Sequence, residues 1–117
     1  MNKFVAMSLG MLFAANAAEA QNNYTNANYE IKDLVFFSKN ESIYPSWAGY
    51  VSMTLTQPIV WAIPNVCSDL SVAIRPADTH IISAVQAAFT SGRTVRLYVD
   101  DTERLSGTFC ILRAVQY

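Results

Sequence analysis

Only one histidine, His80, occurs among the 117 residues, and that scarcity removes most acid–base and metal chemistry from consideration. Four glycines are too few for a glycine-rich phosphate loop, and no G-x-S-x-G nucleophile elbow is present. Positive charge is not in excess: eight Lys and Arg stand against nine Asp and Glu, for a net charge of −1. A main partner that is nucleic acid or anionic lipid is therefore disfavoured. The cluster Asp100, Asp101 and Glu103 lacks the spacing of a calcium loop and reads as a solvated turn. Two cysteines cannot fill a zinc site. No catalytic residue, metal or cofactor is expected, and the chain does not read as an enzyme.

Apolar runs are short, with one exception at the start. Lys3 supplies a positive charge, Phe4 to Ala15 is apolar apart from Ser8 and Gly10, and Ala18-Glu19-Ala20 is a small-x-small cleavage site. Residues 1–20 are thus expected to be a signal peptide cleaved at Ala20/Gln21, leaving 21–117 as one small domain, secreted or periplasmic, with no membrane span. In an exported chain an even pair of cysteines, Cys67 and Cys110, reads as a disulfide.

The clearest element lies between Ile74 and Val99. Pro76 suits a first helical turn, and Asp78 can cap it or sit near its positive end. Ile81, Ile82, Val85, Ala88 and Phe89 form one apolar helix face, and Ser91-Gly92 ends the helix. Thr94 to Val99 then alternates as a half-buried strand, Val95, Leu97 and Val99 inward, Arg96 and Tyr98 outward.

Elsewhere the pattern is of short strands. Gln21 to Asn28 reads as a loose polar arm, Tyr29 to Ser38 as the first strand, and Lys39 to Ser46 as a loop. Trp47 to Thr56 follows as the second strand, with Val51, Met53 and Leu55 inward. Ile59 to Ile63 and Val66 to Ile74 complete the set before the helix, the latter with Leu70, Val72 and Ile74 inward. Asp100 to Gly107 reads as a polar connection, and Thr108 to Gln116 as the last strand, with Phe109, Ile111 and Val115 opposite Cys110. The fold class is mainly β with one helix, β-β-β-β-α-β-β. Short strands with a single helix must curl to cover their apolar face, which points to a small OB-fold-like barrel.

The aromatic content carries the functional signal. Tyr29, Trp47, Tyr50, Arg96 and Tyr98 are candidate ligand-binding residues, since Tyr and Trp offer flat apolar faces with polar edges suited to sugars and protein surfaces. Edge-strand packing is the plainer alternative for the aromatics. The second helix face, Ser83, Gln86, Ala87 and Thr90, carries no charge, and no Lys or Glu occurs between Thr79 and Gly92. Such a face suits a neighbouring subunit, or burial beneath a loop.

The run AAFTSGRTVRLYV (Ala87 to Val99), preceded by VCSDLSV (Val66 to Val72), resembles the B subunits of the subtilase-cytotoxin, typhoid-toxin and pertussis-like AB5 toxins. The resemblance implies an OB-fold subunit in a pentameric ring, helices around a central pore. It also implies binding to sialylated or other host-cell glycans and delivery of a separate enzymatic A subunit. Val51 and Ser52 stand where the family has a cysteine, and no serine stands at Ala27 to Tyr29, where its sugar pocket begins. A monomeric periplasmic or secreted protein-binding adaptor or inhibitor is the alternative of a different class.

Overall fold

The computed structural model describes residues 22–117, so the expected signal peptide and its cleavage junction lie outside the described residues. Six strands and one α-helix follow in the order β1 (Asn22–Tyr24), β2 (Tyr29–Phe36), β3 (Val51–Leu55), β4 (Ser71–Ile74), α1 (Thr79–Ser91), β5 (Thr94–Leu105) and β6 (Phe109–Gln116). A 3-10 turn spans Pro45–Trp47. Among the described residues the fold is mainly β with a single helix, built on a six-stranded mixed sheet in the order β1-β5-β2-β3-β4-β6. All pairs are antiparallel except β4 with β6. Because β5 also pairs with β6, the circuit β5-β2-β3-β4-β6 returns to β5.

The expected order of elements is found, but with two strands exchanged. Residues 21–28, read as a loose arm, include β1, which pairs with β5 through Asn22↔Asp100, Asn23↔Val99 and Tyr24↔Tyr98. Asn23 and Thr25 are fully buried there. Their side chains replace the hydrogen bonds that water would give: Thr25 Oγ1 accepts from the Leu97 N–H and donates to Ala27 O. Conversely, Ile59 to Ile63 is not a strand. Trp61 makes one isolated bridge to Thr25, and Ile59 is buried in the core as a loop residue. Pro58 and Pro64 bracket this segment, and its own N–H groups go to scattered acceptors (Asp69 O, the Tyr29 hydroxyl, Tyr24 O and Asn23 Oδ1) rather than to one neighbouring strand.

Other boundaries shift for similar reasons. The second expected strand contracts to Val51–Leu55, since Trp47 belongs to the 3-10 turn and Gly49 adopts φ +78°. β4 keeps only Ser71–Ile74, and Leu70, expected inward, is exposed. Asp100 to Gly107 is not a connection but the continuation of β5, and only a tight turn at Ser106-Gly107 joins it to β6. Asp101 is accordingly buried rather than solvated, and Asn23 Nδ2 reaches its carboxylate at 3.4 Å.

The helix begins at Thr79 with Asp78 as the cap residue, so Pro76 lies before it rather than in its first turn. The Asp78 carbonyl accepts from Ile81 and Ile82, but its carboxylate accepts from Arg75 Nε at 3.1 Å instead of capping. Arg75 also reaches Glu103 of β5. These charged hydrogen bonds, Asp78 first, raise the Arg75 pKa. At the other end Gly92 is left-handed (φ +74°) and donates back to the last helical carbonyls, the stop expected from the sequence.

One core fills the space enclosed by β2 to β6 and the helix. Met53, Val72, Ile74, Val85, Val95, Leu97, Val99 and Leu112 are fully buried within it. Burial of each such side chain contributes roughly 1.5–3 kcal/mol. A second cluster forms on the opposite sheet face around Trp47, Ala73 and Ile111, with Phe37, Tyr50 and Phe109 packed against it. Phe109 and Ile111 do oppose Cys110, as the alternation requires. Val115 does not stay with them: the register shift at Arg113 turns it back towards the main core. The two cysteines form the expected disulfide, Cys67–Cys110, which ties the 57–70 loop to β6.

Candidate functional site

A cleft of about 300 Å³ opens where the end of the helix passes β2. Its walls are Glu30, Ile31 and Lys32 of β2, Thr56 after β3, and Ala88, Phe89, Gly92 and Arg93 at the helix end. Three local features of the chain build it. The first is a β-bulge: Ile31 pairs with Leu55 but Asp33 with Thr54, so Lys32 is the extra residue and β2 bends there. The second is the Gly92 stop, which turns the backbone so that Arg93 N–H returns to Ala88 O at 2.9 Å. The third is the Thr56 N–H donated to Glu30 O, which holds the post-β3 segment beside β2.

Ile31 and Ala88 form a buried apolar floor, while Glu30, Lys32, Thr56 and Arg93 are exposed around it. Phe89, expected in the helix's core face, is instead 44% exposed and stands at this cleft. Two cations, one carboxylate, one hydroxyl and one aromatic ring therefore share a single concave surface. No group of it is arranged as nucleophile and base.

The sequence candidates are divided among three places. Tyr29 is a core residue, 8% exposed, whose hydroxyl donates to Asn26 Oδ1 and accepts from the Val60 N–H at 3.0 Å. Trp47 and Tyr50 belong to the second cluster, where Trp47 meets Phe37 and Phe109, each at 5.2 Å between ring centres, and Tyr50 at 6.3 Å. Packing thus accounts for Tyr50. Tyr98 and Arg96 point outward from β5 as the alternation requires. Tyr98 lies 6.0 Å from Tyr24 across the β1–β5 pair, and its hydroxyl donates to Gln116 Oε1 at 2.8 Å. The Arg96 Nε is buried and has no hydrogen-bond partner among the described residues.

Ser83, Gln86, Ala87 and Thr90 are all exposed along the outer helix face, and no loop of the described residues covers them. His80 faces a smaller cleft of about 190 Å³ between the helix and β6, opposite Arg113. On β5, Asp100 accepts from the Thr102 hydroxyl and N–H, which hold its carboxyl below the usual range, with Arg113 adding in the same direction. Among the described residues no group of His, Cys, Asp or Glu could hold a metal ion, and no helix is long and apolar enough to cross a membrane.

Sequence reasoning passed over Glu30, Lys32, Thr56 and Arg93. The T-S-G-R end of the helix was the available signal for Arg93, but nothing in the sequence marks the bulge at Lys32. No family model matches the chain, and no curated protein or solved structure shows significant similarity to it.

Proposed function

We propose that this chain is a secreted, non-catalytic, receptor-binding B subunit of AB5-toxin type, an OB-like barrel that assembles into a homo-oligomeric ring, a pentamer, and carries a separate A subunit to host-cell glycans. The observation that carries the reading is the helix. Its outer face is exposed yet bears no charge, the composition of a surface covered by a copy of itself. The circuit of pairings through β5, β2, β3, β4 and β6, with one helix between β4 and β5, supports the barrel. The disulfide supports an oxidising compartment.

The cleft at Glu30, Lys32, Thr56, Phe89 and Arg93 is the first candidate for the sugar. Phe89 offers a ring to stack on, Thr56 and Glu30 offer partners for hydroxyls, and the two cations favour an acidic sugar. The Tyr24–Tyr98 pair with Gln116 and Arg96 is the second candidate surface. The test is light scattering of the oxidised 21–117 protein, followed by a glycan array. A mass near five subunits, with binding lost in Lys32→Ala or Tyr98→Ala, supports the reading. A monomer that retains no sugar overturns it.

A second reading, a monomeric protein-binding adaptor or inhibitor, is favoured by the exposed apolar side chains of Ile43 and Tyr44 in the β2–β3 loop, 78% and 60% accessible. It expects a monomer that co-purifies with one envelope protein.

A further inference from the structure

Arg93 forms one end of the cleft, and its guanidinium carbon lies 5.3 Å from the centre of the Tyr117 ring. That is within the range where a cation is drawn to an aromatic face. The Arg93 backbone is fixed by the turn at Gly92 and by its N–H to Ala88 O. Its side chain is exposed, and among the described residues the ion pairs belong to Arg75, not to Arg93 or Lys32. A long exposed arginine ordinarily loses much rotamer freedom when it grips a ligand. Stacking on a ring reduces that loss because the planar group is already held, and it leaves the edge N–H groups free to donate.

We infer that Tyr117 is a positioning residue of the cleft: its ring holds the Arg93 guanidinium at the rim, so that the N–H fork meets a carboxylate or paired hydroxyls of the bound sugar. The inference rests on the reading of this cleft as a glycan site. The hydroxyl of Tyr117 has no part in it. A phenylalanine would serve equally, and an aliphatic side chain of similar bulk would not.

The experiment is calorimetric titration of the oxidised protein with sialyllactose and with neutral lactose, for the unaltered chain and for Arg93→Ala, Tyr117→Phe, Tyr117→Leu and Lys32→Ala. Melting temperatures identify any variant that fails to fold. Side-chain proton NMR of Arg93 reports directly whether its δ-methylene resonances carry the upfield shift of a ring above them. The expected result is full affinity for sialyllactose in Tyr117→Phe and a loss of about two- to fivefold in Tyr117→Leu, the size of an exposed cation–π contact. The upfield shift disappears with the same substitution. If Arg93→Ala weakens binding but Tyr117→Leu does not, the positioning role is overturned and the cleft stands. If the unaltered protein binds neither sugar, or Arg93→Ala and Lys32→Ala bind as it does, the glycan reading of the cleft fails and the positioning role falls with it.

Discussion

The side-chain amide of Asn23 clasps the backbone of Ile63: Nδ2 donates to Ile63 O at 2.7 Å, and Oδ1 accepts from Ile63 N–H at 3.0 Å. The two are 40 positions apart in sequence, so one fully buried amide stands in for a strand pairing and pins the 57–70 loop against β1. Oδ1 also accepts from the Tyr24 N–H. Asn23→Ala leaves these backbone groups without a partner, and a loss of about 2–3 kcal/mol is expected in urea unfolding. Asn23→Leu costs at least as much, because its volume adds nothing to the missing hydrogen bonds. A change under half a kcal/mol would mean that water reaches these groups.

The Cys67–Cys110 disulfide closes a loop across 43 positions and holds the same segment at its far end. The chain-entropy relation gives roughly 4 kcal/mol for a loop of that length. Reduction, or paired replacement by serine, is expected to lower the melting temperature by well over 10 °C, read by circular dichroism with and without a dithiol.

Gly92 has φ +74°, and a Cβ built there would meet nothing within 4 Å. Gly92→Ala thus isolates backbone strain from packing. A destabilisation of about 1–2 kcal/mol is expected from the left-handed conformation alone. Gly92→Asn is expected to cost less, since asparagine tolerates that region.

Asp100 titrates below its usual range because the Thr102 hydroxyl, and then its N–H, donate to the carboxylate. A carboxylate depressed in the folded state contributes stability above its ordinary pKa, and that contribution is lost as pH falls through the lowered value. Asp100 is only partly buried and its hydrogen bonds come from one neighbouring threonine, so the effect on stability is small. Thr102→Val removes the hydroxyl donor, and carboxyl-carbon NMR is expected to show the Asp100 titration moving up towards the ordinary carboxylate range.

On the proposed ring, Ala87→Glu places a charge of one sign on the exposed helix face of every copy. The expected outcome is dissociation to monomers in light scattering at low salt, with the circular dichroism of the monomer unchanged. Ser42→Glu, in the β2–β3 loop, is expected to leave the mass unchanged.

The candidate site was legible only in parts. Strand alternation places Arg96 and Tyr98 outward, as they are, because a period of two depends only on the chain's own geometry. It does not reveal that Tyr98 meets Tyr24, since the pairing partner is a short polar segment with no strand pattern of its own. The cleft draws on β2, the segment after β3 and the helix end, which are distant in sequence. Its bend is a bulge at Lys32, and a one-residue insertion in a ladder leaves no trace in composition.

The helix with its glycine stop, the alternation of β3 and of early β5, and the disulfide pair were fixed by sequence alone. Each depends on neighbours within a turn or two or, for the cysteines, on there being no other partner. The tertiary structure decided which polar segment became β1, how far β5 runs past Asp100, and why Phe89 lies open while Asn23 is buried. A strand is stabilised by hydrogen bonds and contacts from remote chain, so a polar segment such as Asn22–Tyr24 becomes one only when β5 supplies the ladder and Ile63 takes up its amide.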